Sequence, residues 1–391
     1  MVEVADQVFV TLKQTVVGWF PAAGQPWASA LVTVAAILVV FPLLFALTTV
    51  VERKVLGRIQ NRYGPNRVGP WGFLQFAADG IKSLTKEDLV PAAADRVVHF
   101  LAPLAMLVPV LLAFAVLPVG RGMVACDLDA GVLFFFAVGA GSELAVFMAG
   151  WSSRNKYALL GAMRAMAQMI SYEVPLILSS LGVIMVVGSL SPVAIVEAQN
   201  HYTGWVPHWH LFTPWGLAAF FVFVIAAAAE SNRSPFDLPE GESELVAGYF
   251  TEYSGFKFAL FFLAEYLGMF AIAGMGITLF LGGWTAPVVF LTWVPSWCWF
   301  FLKLAVWVLV LIWVRGTVPR LRVDQLMNLA WKFLLPVALA AFVAAGFWLF
   351  LPPGPWRWGI TALLVASPYV LLARGLTGAA QRGKRVYRWA D

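Results

Sequence analysis

Residues 28–51 read ASALVTVAAILVVFPLLFALTTVV, an uninterrupted run without a single charged side chain. The hydrocarbon core of a bilayer is about 30 Å thick and needs about 20 apolar residues in a spanning helix. Eight further apolar runs follow along the chain, at 97–119, 131–150, 167–190, 214–229, 256–281, 298–314, 333–351 and 358–373. We therefore predict an all-α polytopic membrane protein with about nine transmembrane helices.

The overall composition points the same way. Hydrophobic residues make up 61% of the 391 residues and charged residues only 12%, whereas soluble domains are about 45–50% apolar. The apolar runs are continuous, so they lack the inside/outside alternation of a transmembrane β-barrel. Val8, Leu12, Val16 and Trp19 lie at helical spacing, which predicts a short interfacial helix before the first span.

The basic residues predict the orientation. Of the 26 lysines and arginines, 22 fall in the segments 52–96, 151–165, 230–257, 315–332 and 374–391. Basic residues accumulate in cytoplasmic loops, so we expect the N-terminus outside and the C-terminus in the cytoplasm. The net charge of +5 follows from this bias and does not indicate nucleic-acid binding.

These patterns give one transmembrane domain over residues 1–391. Its parts outside the spans are an interfacial N-terminal segment, a first cytoplasmic loop, an acidic cytoplasmic loop and a basic cytoplasmic tail, at 1–27, 52–96, 230–257 and 374–391. We expect amphipathic and partly unwound segments in the cytoplasmic loops. In the first loop, glycines and prolines favour turns over one continuous helix.

Motifs for bound cofactors are missing from the sequence. Cys126 and Cys298 are far apart, without the spacing of an iron–sulfur or zinc site. The H-W-H run at 208–210 is a possible metal site, but it has no carboxylate or cysteine beside it. We expect no catalytic residue, no metal and no cofactor in this chain, so the electrons of any redox reaction must come from partner chains.

The first loop combines cations with aromatic residues. Arg53, Arg58, Arg62 and Arg67 lie close in sequence to Trp71 and Phe73. Basic residues at the cytoplasmic surface are explained by membrane anchoring alone. The alternative is a folded cavity mouth, in which cations and aromatic rings bind a flat polar headgroup on an apolar tail.

Three acids lie inside predicted spans: Glu143, Glu173 and Glu265. A charged side chain at mid-bilayer costs at least about 2.5–3.5 kcal/mol, so each must pair, protonate or face water. Structural pairing with Arg154, Lys156 and Arg164 is one explanation. The other is a proton relay, in which buried carboxyl groups load and release protons.

The stretch AESNRSPFDLPEGESELVAGYFTEY, at 229–253, holds six acids in a chain that is poor in charge. Asp237 and Glu240 form a capping-box pattern with Pro239 in the first turn, which predicts a helix start. From there Glu240, Glu244 and Glu252 fall along one side of a helix. Like charges at this spacing repel, so the row favours proton loading over stability.

Three motifs together resemble the H subunit of bacterial NADH-quinone oxidoreductase, respiratory complex I. They are ERKVLGRIQNRYGPNRVGPWGFLQFAADGIK at 52–82, GAMRAMAQMISYE at 161–173 and NRSPFDLPEGESELVAGYFTEYSG at 232–255. The resemblance covers about 27–324, and more loosely the rest.

This resemblance implies specific roles for single residues. Those implied at the quinone chamber are Glu52, Arg53, Arg62, Asp79, Phe236 and Asp237. Those implied in a proton relay are Glu143, Glu173, Glu230, Glu240, Glu242, Glu244, Glu252 and Glu265.

The resemblance also implies an environment. The chain would be one subunit of a proton-translocating NADH:quinone reductase in the bacterial inner membrane, with quinone as substrate and FMN and Fe–S clusters in partner subunits. Those partners are peripheral-arm subunits of the quinone site and small adjacent membrane subunits. Two alternatives remain: the homologous membrane subunit of a membrane-bound hydrogenase or formate hydrogenlyase, and a stand-alone ion transporter. A transporter usually has two matching halves, which we do not find.

Overall fold

The computed structural model describes the backbone of residues 6–238 and 247–381, and the side chains of these residues up to 370. Its helices in chain order are α1 (Val8–Gly18), α2 (Gln25–Ile59), α3 (Gln75–Thr85), α4 (Arg96–Ala113), α5 (Gly131–Gly139), α6 (Gly141–Ser152), α7 (Lys156–Val187), α8 (Pro192–Gln199), α9 (Pro214–Glu230), α10 (Gly255–Phe280), α11 (Ser296–Thr317), α12 (Val323–Leu329), α13 (Leu335–Phe350) and α14 (Pro355–Gln381). One hairpin, β1 (Tyr202–Thr203) with β2 (Val206–Pro207), lies between α8 and α9.

The predicted all-α membrane fold is confirmed. Within the described residues, seven helical segments are long and apolar enough to cross a membrane: Ala22–Ile59, Arg96–Val116, Gly131–Ser152, Lys156–Val187, Gly255–Phe280, Ser296–Thr317 and Val323–Phe350. The fifth predicted run folds as the shorter helix α9, and the ninth lies within α14. The count of nine spans stays a prediction.

Helix α7 differs from its predicted span, because it begins at Lys156 rather than at residue 167. The side chain of Asn155 caps this end, accepting a hydrogen bond from the Tyr157 amide at 2.9 Å. The 32 residues of α7 extend about 48 Å at 1.5 Å per residue. Its first turns therefore reach beyond a hydrocarbon core of about 30 Å, where lysine and arginine are tolerated.

The connections between helices alternate between two ends of the bundle. We call one end the Arg121 face; it carries residues 6–24 and the connections 117–130, 188–213, 281–295 and 351–354. The other end, the Arg53 face, carries 60–95, 153–155, 231–238, 247–254 and 318–322. Contacts across the fold agree with this division, because the Asp6 carboxylate accepts a hydrogen bond from the Ser296 amide at 2.7 Å.

Small residues allow the central helices to pack closely. Ala226 and Ala229 of α9 are completely buried where α9 lies against α7. At the other end of α9, a Cβ atom on Gly216 would lie 2.0 Å from the carbonyl oxygen of His210. Only glycine fits there, so α9 begins directly against the preceding turn.

A buried lysine closes the Arg121 end of α10. The Lys303 ammonium group, on α11, donates to the carbonyl oxygens of Leu281, Gly283 and Thr285 at 2.6–2.8 Å. These three bonds use every hydrogen of an ammonium group. Lys303 therefore satisfies carbonyls that follow the end of α10, where a helix leaves acceptors without partners.

His210 should make stability depend on pH. Burial lowers its pKa to about 4 from the ordinary 6.5, so the unfolded chain takes up the proton first as the pH falls. The contribution of His210 to the free energy of unfolding is then fully present above pH 6.5. It falls by roughly 1 kcal/mol per pH unit as the pH is lowered to about 4. Thermal unfolding in detergent at a series of pH values measures this slope.

The matched variants are His210→Phe and His201→Phe, because His201 is exposed on the same face. The first should flatten the slope between pH 6.5 and 4, and the second should preserve it. An unchanged slope in His210→Phe would show that another group causes the pH dependence.

Candidate functional site

A carboxylate on α2 forms the centre of a buried polar cluster. Glu52 is only 4% exposed, and its Oε2 accepts a hydrogen bond from the Tyr266 hydroxyl at 2.6 Å. Its Oε1 pairs with Arg233 at 3.4 Å and, more closely, with Arg315. Helices α2, α10 and α11 and the turn after α9 thus meet at one side chain.

Arg233 is the most buried cation of this cluster, with its side chain 11% exposed. Its guanidinium carbon lies 3.7 Å from the centre of the Tyr266 ring, a cation–π contact that a desolvated site strengthens. Its Nη2 is buried and has no hydrogen-bond partner among the described residues. A buried donor of this kind calls for an acceptor oxygen from water or a ligand.

A small cavity opens beside this cluster. Thr48, Glu52, Arg233 and Arg315 line it together with apolar residues of α10 and α11, and its volume is about 10 Å³. A water molecule needs about 10–15 Å³. The space therefore suits a single water or the polar tip of a larger molecule.

A second cavity, of about 60 Å³, lies on the other side of the turn after α9. Its polar lining consists of Ser142, Glu230, Ser231, Asn232 and Glu265. By the same measure it holds several waters. Asn232 borders this cavity and the next residue, Arg233, borders the first, so the turn separates the Glu52 cluster from an acidic chamber with room for water.

Two of the predicted relay acids, Glu230 and Glu265, line this chamber, and Glu143 and Glu173 lie close to Glu230. The carboxyl groups of Glu143 and Glu173 lie close enough to interact with each other. Glu230 interacts electrostatically with both. Glu265 accepts a hydrogen bond from the Tyr249 hydroxyl at 3.0 Å.

The pairing expected from sequence for Glu143 and Glu173 included Lys156. Glu173 lies 17 residues after Lys156 on α7, about 25 Å along the helix, so these two cannot pair. The structure instead brings the two acids together. Helix α5 ends at Gly139 and α6 begins at Gly141, and this break sets Glu143 in the first turn of α6.

Gln168 holds the turn that separates the two cavities. Its Nε2 donates to the carbonyl oxygens of Ala229 and Phe236, both at 2.7 Å, and lies 3.2 Å from Asn232 Oδ1. Phe236 is 6% exposed and its ring lies 5.6 Å from that of Tyr172. Gln168 on α7 therefore holds in place the turn that carries Arg233.

The first loop has a folded shape, as its glycines predicted, although α2 continues to Ile59 before the turns begin. A Cβ atom on Gly64 would lie 2.8 Å from Lys54 Cα, so the loop folds back against α2. The ion pair of Arg53 with Asp79, at 2.5 Å, joins α2 to α3. Gln75 also donates to Asp79, at 3.0 Å.

The six predicted quinone-chamber residues do not form one cluster. Glu52 points into the bundle, whereas the neighbouring Arg53 side chain is 52% exposed. Arg62 is exposed and donates to Gln60 at 2.7 Å. Asp237 lies near Arg320 of the connection before α12, at 3.5 Å.

The predicted row of acids on one helix is wrong for Glu252. The structure does not describe Glu242, Glu244 or Glu240, the predicted capping partner of Asp237. Gly248 has a φ of +56° and starts a short 3-10 turn, Gly248–Phe250, so no helix continues through to Glu252. Glu252 instead accepts a hydrogen bond from Asn155 Nδ2 at 2.6 Å.

The reason for this interruption is close packing against α7. A Cβ atom on Gly161 would lie 2.7 Å from Gly248 Cα. The two glycines bring the backbones into direct contact, and the positive φ turns the chain away from a helical path.

The two histidines of the H-W-H run have different surroundings. His208 contacts Thr203 of the hairpin, whereas His210 is buried 5.5 Å from the Trp215 ring. Among residues 6–238 and 247–381 no group of three His, Cys, Asp or Glu side chains is arranged to hold a metal ion.

Comparison with known proteins gives one consistent family. The family model described as NADH dehydrogenase matches residues 32–346. A protein of Dehalococcoides mccartyi (strain CBDB1), named as the H subunit of NADH-quinone oxidoreductase, is 51% identical over 302 residues, covering 77% of this chain and 82% of the relative. Proteins of the same name from Geobacillus sp. (strain WCH70) and Polaromonas naphthalenivorans are 53% and 42% identical, covering 74% and 90% of this chain and 84% and 99% of the relatives. The chain therefore belongs to the NADH dehydrogenase family, together with the proteins named as the H subunit of NADH-quinone oxidoreductase.

Proposed function

We propose that this chain is a membrane subunit of a proton-translocating NADH:quinone reductase, respiratory complex I, in the bacterial inner membrane. The names of its relatives support the reaction, and its apolar helices support the location. In the assembled enzyme the N-terminus lies outside and the C-terminus lies in the cytoplasm, in agreement with the distribution of basic residues.

The observation that carries the mechanism is the position of Arg233. One end of its guanidinium group pairs with Glu52, and Nη2 is a buried donor without a partner among the described residues. The adjoining chamber holds Glu230 and Glu265. A polar group that enters the Glu52 cluster changes the electrostatic field at these acids through Arg233.

Reduction of a quinone to a quinol consumes two electrons and two protons. The electrons come from partner subunits that carry FMN and Fe–S clusters, and this chain holds no cofactor of its own. Arg53, Arg62, Asp79, Phe236 and Asp237 form the approach to the site, next to the peripheral-arm subunits. The acids Glu143, Glu173, Glu230, Glu240, Glu242, Glu244, Glu252 and Glu265 carry protons onward to adjacent membrane subunits.

The relatives' names favour a quinone-reducing enzyme over a membrane-bound hydrogenase or a stand-alone transporter. Identifying the chains that copurify in mild detergent provides a direct test. A flavoprotein and Fe–S proteins would support the proposal, and a nickel–iron large subunit or the absence of any partner would contradict it.

Substitution of the chamber acids tests the mechanism. In the assembled complex, Glu230→Gln and Glu265→Gln should lower NADH-driven quinone reduction and proton pumping by about tenfold or more, because a neutral amide cannot carry a proton. NADH oxidation by a water-soluble artificial acceptor should remain unchanged.

The matched control is Glu197→Gln, since Glu197 is exposed on α8 at the Arg121 face. It should leave all three rates unchanged. If both chamber variants pump and turn over like the wild type, the relay is refuted, while the copurification result still decides the subunit assignment.

A further inference from the structure

A third cavity lies on the Arg121 face, at the opposite end of the bundle from the Glu52 cluster. Its volume is about 80 Å³, larger than the two cavities described above. By the measure of about 10–15 Å³ per water it has room for a small polar group of several heavy atoms. Nothing in the proposed reaction uses it.

This cavity contains one anion and one cation. Asp6 is 7% exposed, and its Oδ1 accepts hydrogen bonds from the amide and hydroxyl groups of Ser296 at 2.7 and 2.5 Å. Its Oδ2 has no hydrogen bond among the described residues. Arg121 also lines the cavity, and its guanidinium group forms no ion pair or hydrogen bond within the described part of the chain.

The walls around these charges are aromatic and polar. Trp284, Trp299 and Tyr202 line the cavity, and the Tyr202 hydroxyl donates to the Ala286 carbonyl oxygen at 3.0 Å. Trp284 is buried and the other two are half-buried. The cavity is therefore a formed site with fixed walls.

The surroundings place the cavity at the surface of a membrane. It lies where α11 begins and where the connection after α10 ends, so it is level with one end of the spanning helices. Trp205, Phe290 and Trp293, on the connections that form it, are 64–68% exposed. Large aromatic side chains at helix ends are typical of the membrane–water interface.

We propose that this cavity binds the headgroup of a zwitterionic phospholipid with a primary amine, such as phosphatidylethanolamine. The ammonium group donates to Asp6 Oδ2, and the phosphate pairs with Arg121. Charge complementarity on both groups selects this class of lipid, and the aromatic rim fits the upper acyl chains.

Lipid selectivity of the purified full-length chain provides the test. The chain is equilibrated in mixed micelles that contain equal amounts of phosphatidylethanolamine, phosphatidylcholine and phosphatidylglycerol, and the retained lipids are identified by native mass spectrometry. We expect about tenfold preferential retention of phosphatidylethanolamine. The trimethylated amine of phosphatidylcholine has no hydrogen to donate to Asp6, and phosphatidylglycerol has no amine.

Substitutions of Asp6 and Arg121 test the contributions of the two charges to lipid binding separately. Asp6→Asn keeps an oxygen for Ser296 but removes the negative charge, so it should abolish the preference for phosphatidylethanolamine. Arg121→Gln should reduce retention of all three lipids about tenfold. The matched control is Arg357→Gln, because Arg357 lies at the same end of the bundle, in α14, and does not line the cavity.

Equal retention of phosphatidylethanolamine and phosphatidylcholine by the wild type would overturn the proposal, as would an unchanged preference in Asp6→Asn. If Asp6→Asn fails to fold, unchanged retention in Arg121→Gln would overturn it alone. A competition experiment with soluble phosphoethanolamine distinguishes a lipid from a free solute. If phosphoethanolamine displaces the lipid when both are at the same concentration, the cavity binds a free solute rather than a lipid.

Discussion

Replacing Glu52 by leucine is expected to destabilise the protein by about 3–5 kcal/mol, the usual effect of removing one partner from a buried ion pair. The substitution removes the carboxylate that forms the ion pair with the buried Arg233 and the acceptor of the Tyr266 hydroxyl. Unfolding in detergent, followed by circular dichroism, measures the loss. Quinone-linked turnover of the assembled enzyme should fall below one tenth of the wild-type rate.

Two companion variants show whether charge or shape is responsible. Glu52→Gln keeps the size and one acceptor oxygen, so it should fold better than Glu52→Leu yet lose most quinone-linked turnover. Tyr266→Phe removes only one hydrogen bond to Glu52 and should cost about 1–3 kcal/mol. If Glu52→Leu is no less stable than Glu197→Leu at an exposed site, the cluster has no structural role.

Replacing Gly161 by alanine is expected to destabilise the protein by about 1–3 kcal/mol, the usual cost of overpacking. The added Cβ would lie 2.7–3.0 Å from three backbone atoms of Gly248 and Tyr249, and backbone atoms cannot rotate away. The segment 247–249 must therefore move. This displaces the Tyr249 hydroxyl from Glu265, so proton pumping should fall as well.

Gly346→Ala is the matched control, since Gly346 lies within α13, lines none of the three cavities, and the nearest atom to an added Cβ, Met185 Cε, is 3.7 Å away. Alanine is intrinsically favoured over glycine in a helix by about 1 kcal/mol. This control should be neutral or stabilising. Equal effects of the two substitutions would show that the Gly161–Gly248 contact is not tight in solution.

The sequence predicted the helices well because bilayer thickness imposes a minimum length on each apolar run. Every predicted run coincides with a helix, but the polar ends were misjudged. Residues 156–165 were assigned to a loop, although Asn155 is a good N-cap and no proline or glycine lies between it and Gly161. Capping chemistry at Asn155 was the signal that hydropathy alone could not supply.

The candidate site was predictable only in part. Glu52 was implied, but its partners Arg233, Tyr266 and Arg315 are 181, 214 and 263 residues away in sequence. No local periodicity encodes such contacts. The position of Arg315 at the end of an apolar run was the available signal, and it was counted only in the distribution of basic residues that predicts the orientation.

The acidic stretch shows a different limit. Helical spacing placed Glu252 in line with Glu240 and Glu244, although Gly248 lies between them in the sequence. Glycine allows a positive φ, and at this position the chain uses it. Whether it would do so depended on Gly161, 87 residues earlier, which no local rule connects to Gly248.

The contact between Gly161 and Gly248 gives α7 a mechanical role. Gly161 and Glu173 lie on the same helix, twelve residues or about 18 Å apart, and the one proline in α7, Pro175, comes after both. This part of α7 therefore joins the backbone contact with Gly248 at one end to Glu173 at the other, in the turn where Pro175 removes a helix hydrogen bond. A shift of the backbone at Gly248 by a fraction of an ångström would be transmitted along α7 to the Glu143–Glu173 pair without any side chain in between having to change its rotamer.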